Sequence, residues 1–167
     1  MTALNSPLEL GVRALVLLTA AHPRTITLDK LTMMDHYLLH SGERGGPPSV
    51  AAPLSTRGGE SGVKRTVLEH GLHLMVRAGL VEILPTRYGV SFRASERGAP
   101  FIQLIKSGHI DELRTTSAWV VETFGDRTPE EVRTELAHLT SQWADELEPV
   151  GSGGPSTSSF IREVSAV

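Results

Sequence analysis

At 167 residues and 40% hydrophobic, the chain has the size of one domain, or of one domain with a helical extension, and enough apolar side chains for a core. It has no cysteine, which excludes a disulfide scaffold, thiol catalysis, thiolate zinc sites and iron–sulfur clusters. Its net charge of −3 is unevenly laid out, with seven basic against three acidic residues in 61–106 and four against eleven in 107–167, a pattern that lets a basic centre touch nucleic acid but argues against a chain coated in phosphate backbone.

The first predicted element is a helix over 7–21, with Ser6 as N-cap and Pro7 at its first position. It is apolar nearly all round, only Glu9 and Arg13 marking a narrow polar strip, so it belongs in the centre of a fold. His22 and Pro23 end it. Its apolar run 14–21 is too short to cross a bilayer, and residues 1–5 lack the positive start of a secretion signal. A soluble, cytoplasmic protein without membrane contact is expected.

A second helix is predicted over 28–40, capped by Thr27, with Asp29 in its first turn. Leu28, Leu31, Leu38 and Leu39 share a face, Asp35 falls inside that face, and His36 and His40 lie towards its opposite edge. The segment 42–60 that follows has the length of a working loop or of disorder. An ionised carboxylate on an apolar face must be paired or hydrogen-bonded. Asp35 is therefore read as pinning a structural elbow, through the N–H groups of 42–46 or the guanidinium of Arg44 or Arg57; a slightly rotated helix with Asp35 at its edge is the alternative.

Two chemical readings of the same stretch are weaker. His36 and His40, four apart on a helix, have the geometry to share a zinc ion with Glu43 as a third ligand. The metalloprotease motif, however, needs a glutamate after the first histidine, where Tyr37 stands. The glycine-rich run lacks the Gly-Lys-Ser/Thr ending of a phosphate loop, and its two consecutive prolines remove N–H donors.

Ser61 is a candidate cap for a third helix over 62–79, with Val63, Val67, Leu68, Gly71, Leu72, Leu74, Met75 and Ala78 on its apolar side and Lys64, Arg65, Glu69, His73 and Arg77 opposite. Gly79 closes it. Residues 80–84 and 90–94 then read as two strands around a turn at 85–89. A helix followed by a short hairpin is the order of a winged helix, which would make 62–79 the recognition helix and 85–89 the wing tip. Lys64, Arg65, Arg77 and Arg87, with Arg93, would then face nucleic acid or a partner. Glu69 and Glu82 interrupt that face, and four or five phosphate contacts give only weak, salt-sensitive binding.

Three more helices are expected: 96–106, packing Phe101, Leu104 and Ile105; 109–124, with Ile110, Leu113, Trp119 and Val120 or Val121 inward; and 129–147, opened by a capping box of Thr128 and Glu131 around Pro129. This last helix uses Val132, Leu136, Leu139 and Trp143. The expected division is a winged-helix-like domain over 1–106, a helical extension over 107–147 and a flexible tail over 148–167, in which Phe160 and Ile161 are a stray apolar pair or a docking point. The fold class is mostly α, with a two-stranded wing.

The ordered set DHYLLHSGERGGPPS (35–49), PLSTRGGESGVKRTVLEHGLHLMVRAGLVE (53–82), YGVSFRASERGAPFIQLI (88–105) and LRTTSAWVVETFG (113–125) resembles a bacterial family. It is similar to the type 2 middle component of the three-component ABC ATPase conflict systems, which overlap with the Lamassu anti-phage systems. The resemblance spans about residues 10–125. It implies a non-enzymatic accessory subunit, without a cofactor or metal of its own, that bridges or regulates an ABC-type ATPase and an effector, a nuclease being the expected kind. ATP and magnesium would belong to the ATPase. The 42–60 loop and the acidic helices of 109–147 are then the expected protein-binding surfaces. The rival readings are a dimeric winged-helix DNA-binding transcriptional regulator and a hydrolase using His36, His40 and Glu43.

Overall fold

The computed structural model describes residues 6–50 and 60–145, and the side chains of 6–50 and 64–141. Arg57, the side chain of Trp143, most of the long loop and the 148–167 tail lie outside that description.

The described chain is mostly helical: α1 (Pro7–Ala21), α2 (Leu28–Leu39), α3 (Glu60–Arg77), α4 (Gly98–Leu104), α5 (Gly108–Phe124) and α6 (Pro129–Asp145). Three short strands, β1 (Ile26–Thr27), β2 (Val81–Thr86) and β3 (Gly89–Ala94), form one antiparallel sheet in the order β1-β3-β2. β1 was not expected. Two residues are too few for a period-two pattern to show, and only the pairing of Ile26 with Phe92 and of Thr27 with Ser91 makes them a strand.

α1 is the axis of the core. Ser6 caps it, its Oγ accepting the Glu9 N–H at 3.1 Å, and Leu10 with Ala14 through Leu18 is buried. α2, α3, α4, α5 and β3 all pack against it, so it needs no broad polar face. The position read as part of a polar strip, Arg13, is fully buried.

The crossing of α1 over α3 is built on two glycines. A Cβ on Gly71 would meet the Pro7 carbonyl and lie 2.6 Å from the Gly11 nitrogen; one on Gly11 would lie 2.7 Å from the Gly71 oxygen. Backbone meets backbone there, so no side chain can yield. The same core cluster takes Ile110, Leu113, Val120, Val121 and Phe124 from α5 and Val132 and Leu139 from α6. α6 starts with the reciprocal pair read from the sequence: Glu131 N–H to Thr128 Oγ1 at 3.2 Å and Thr128 N–H to Glu131 Oε2 at 3.3 Å.

α4 is shorter than the expected 96–106 and turns differently. Gly98 and Ile102 face inward, whereas Phe101 and Leu104 are exposed, Leu104 by 78%. A Cβ at Gly98 would come within 3.2 Å of Leu15 and 3.4 Å of the Leu80 carbonyl, so this close approach sets which face is buried. α3 also starts earlier than expected, with Ser61 inside the helix.

Gly71→Ala should therefore lower stability by about 1–3 kcal/mol, or roughly 2–10 °C in Tm for a chain of this length. Thermal unfolding followed by circular dichroism checks this; a Tm unchanged from wild type would mean the helices can separate at no cost.

Candidate functional site

The charged residue inside the apolar face of α2 is the centre of a buried ion cluster. Asp35 is fully buried. Arg13 grips it from α1 with two parallel bonds, Nε to Oδ1 at 2.7 Å and Nη2 to Oδ2 at 2.9 Å. Lys64 reaches it from α3, Nζ to Oδ2 at 2.9 Å. The pairing expected with Arg44 does not occur, because Arg44 points to the other side of α2, and Arg57 lies outside the described residues. The signal for the true partner was present: a lone arginine in an apolar helix and a lone aspartate on an apolar face answer each other's charge.

Burial works against ionisation of Asp35 and is the largest single influence, but Lys64 and Arg13 together outweigh it and hold the carboxyl well below the usual range. Burial likewise opposes the charge on Arg13, and Asp35 more than restores it. Two cations meet one carboxylate, so the node carries an excess positive charge. The neighbouring histidines register it. Burial, then Lys64, push His36 down to about 3; burial also lowers His40.

The two imidazole rings lie 4.9 Å apart, and both are buried rather than half-exposed. They hold together with neither Glu43, whose Oε1 is 3.9 Å from His40 Nδ1 and which is itself exposed, nor a third ligand. Among the described residues no three His, Asp or Glu side chains converge as a metal site would require.

Arg44 does serve the elbow. It donates to the Tyr37 hydroxyl at 2.8 Å and to Glu135 Oε2 at 2.9 Å, while Tyr37 donates to the same oxygen at 2.8 Å. Tyr37 stacks flat on Phe124 at 4.4 Å. Burial and the bond to Glu135 push the Tyr37 phenol up to about 12. The chain turns through a 3-10 segment at Ser41–Arg44 into Gly45, whose φ of 76° suits glycine. Gly46 lies so close to the Trp119 indole that a Cβ there would come within 2.6 Å of it. The stretch after α2 is thus stitched to α5 and α6.

The residues expected to face DNA or a partner divide. Lys64 turns inward to Asp35. Arg65, its neighbour, bonds Asp29 at 2.9 Å. Asp29 and Asp35 are about 9 Å apart along α2, so two consecutive cations of α3 hold α2 at two points. Arg93 bonds Glu82 at 2.7 Å. Arg77 is exposed in the last turn of α3, and Arg87 lies over the Tyr88 ring at the hairpin tip, 4.9 Å from its centroid.

Beside α3 and the hairpin runs a groove of about 550 Å³, bordered by Asp29, Arg65 and Glu69 and lined by Ile83, Tyr88 and Val90. The sequence reading put Leu74 on the apolar side of α3. Leu74 is instead exposed, as are Ile83, Tyr88 and Val90 of the hairpin.

No helix among the described residues is long and apolar enough to cross a membrane.

Two predictions follow from the node. Asp35→Ala leaves a buried guanidinium and a partly buried ammonium without their anion and should destabilise by about 3–5 kcal/mol, while the all-apolar triple variant Arg13→Met, Asp35→Leu, Lys64→Met should recover most of that loss; urea unfolding of the three proteins checks it. His36 binds its proton near pH 6.5 when unfolded but near 3 when folded, so between those values the unfolded chain holds more protons and stability falls with falling pH. The loss between pH 7 and pH 5 is about 2 kcal/mol, and His36→Gln should remove it from the pH dependence of unfolding. The depressed carboxyl of Asp35 adds its own loss only at lower pH, below about 4.

Comparison with known families gives one match. The family of the ABC-three component (ABC-3C) system Middle Component 2 covers residues 3–146, and the chain belongs to it. No curated protein and no solved structure matches.

Proposed function

We propose, with membership of a middle-component family as the premise, that this chain is a non-enzymatic accessory subunit bridging or regulating an ABC-type ATPase and an effector of a bacterial anti-phage defence system. The observation that carries the reading is the fate of the charged groups. Among those with the residue types for chemistry, Asp35 and Arg13 are fully buried and, with the partly buried Lys64, are committed to joining three helices, while His36 and His40 are buried beside them. An active site needs such groups open to a substrate. The surface left to the solvent is suited to contact rather than turnover, and ATP and magnesium belong to the ATPase.

A second reading keeps one observation in its favour. The order α1-β1-α2-α3-β2-β3, with β3 between the other strands, supports a winged-helix assignment and with it a DNA-binding regulator. Against it stand the ion pairs: Lys64 with Asp35, Arg65 with Asp29 and Arg93 with Glu82. Of the cations expected at DNA, Arg77 and Arg87 are the ones without a carboxylate partner in these pairs.

Co-expression with the products of the neighbouring ATPase and effector genes, followed by sizing, should yield a stable complex containing this chain. On a short labelled duplex, the isolated chain should show a slope of log K against log salt no steeper than about −2, the release expected of two phosphate contacts. A dimer that binds its own promoter tightly and forms no complex with either neighbour would reverse the two readings.

A further inference from the structure

We propose that the groove between α3 and the β2–β3 hairpin is the seat of a segment from another component of the assembly, one that presents apolar side chains and at least one lysine or arginine. This deepens the accessory-subunit reading and rests on it.

The floor of the groove is an apolar face left uncovered. Ile83 pairs with Phe92 and Pro85 with Val90 across the hairpin, and directly opposed residues of a ladder share one face of the sheet. At Phe92 that face is inside the core, 4% exposed. Across the same rung, on the edge strand, Ile83 is 43% exposed, and towards the tip Val90 is 59% and Tyr88 57% exposed. A hairpin made to meet water or phosphate carries polar residues at such positions. Three large apolar side chains grouped beside a helix mark a surface that is covered in use.

The charges say by what. The border of the groove holds two carboxylates, Asp29 and Glu69, against one guanidinium, Arg65. Arg65 is bonded to Asp29 at 2.9 Å. Glu69 is left 46% exposed, with the His73 ring 4.0 Å away. A phosphate backbone laid along α3 would run into that carboxylate. A lysine or arginine flanked by apolar residues matches it, so the complement is a protein segment rather than nucleic acid. Arg87 places its guanidinium over the Tyr88 ring at the hairpin tip, where it adds a cation beside the apolar floor rather than a partner for Glu69.

The test uses the full chain co-expressed with the products of its neighbouring ATPase and effector genes, with the photo-crosslinking residue p-benzoyl-phenylalanine in place of Val90. Illumination should join it to an apolar, Lys- or Arg-containing segment of one of those two proteins. Val90→Asp and Glu69→Lys should each weaken retention of that protein at least tenfold, with thermal unfolding unchanged because both sites are exposed. Reversing the cross-linked lysine or arginine to glutamate should restore binding to Glu69→Lys. A complex that forms equally well with both variants and gives no cross-link overturns the groove assignment and leaves the accessory reading standing. Absence of any complex with the wild-type chain overturns both. A cross-link to residues 146–167 or to a second copy makes the groove a self-docking site, and loss of binding to a labelled duplex on Val90→Asp makes it a nucleic-acid site; either result overturns the proposal.

Discussion

The Asp35 carboxylate sits with no exposed surface between a guanidinium from α1 and an ammonium from α3. Stripping three ions of water is expensive, and an apolar trio of the same volume would serve stability as well or better. What the ions add is direction. Two parallel bonds from Arg13 fix the rotation of α2 about α1, and Lys64 fixes the height at which α3 passes. Gly11 and Gly71 permit that passage by letting the two backbones touch. The close crossing and the ion pairs therefore constrain each other: separate the helices by a methyl group and Lys64 loses its reach.

The outer layer is fastened to the same helix by neutral and half-exposed groups. Tyr37, two residues from Asp35 and so on the other side of α2, stacks on Phe124 of α5 and shares Glu135 of α6 with Arg44. α2 is thus buried on every side from Leu31 to Leu39, joined inward by charge and outward by aromatic contact. Its histidines, surrounded by helices and next to a net positive node, both have their affinity for a proton lowered, burial being the largest cause.

Much of this was legible before any coordinates. The caps at Ser6, Thr27 and Thr128, the central position of α1, the hairpin after Gly79 and the anomaly of Asp35 each rest on a local pattern. The choice of Arg13 over Arg44 as the partner of Asp35 did not, because it depends on which helices cross, and sequence spacing carries no term for that. Arg13 looked like a polar strip because a single charge in an apolar helix has the same pattern whether it meets water or a buried acid. The face of α4 and the place of Leu74 on α3 were misjudged for a related reason. Periodicity shows that Leu104 and Leu74 are apolar, but whether a neighbour reaches far enough to cover them is set by the lengths of other elements.

The node and the groove are parts of one mechanical object. Lys64 and Glu69 are separated by about 7.5 Å of helix rise, without a proline between them to bend α3. A load applied at Glu69 is therefore carried to Lys64 by a stiff rod, and Asp35 and Arg13 resist it from the core. The pair from Arg65 to Asp29 adds a second point of attachment, so α3 is prevented from rolling as well as from sliding. A surface held this way presents a fixed shape, which lowers the ordering entropy that association must overcome. The proposed role of holding two larger proteins in one geometry calls for that rigidity, and the buried charges of this fold are arranged to supply it.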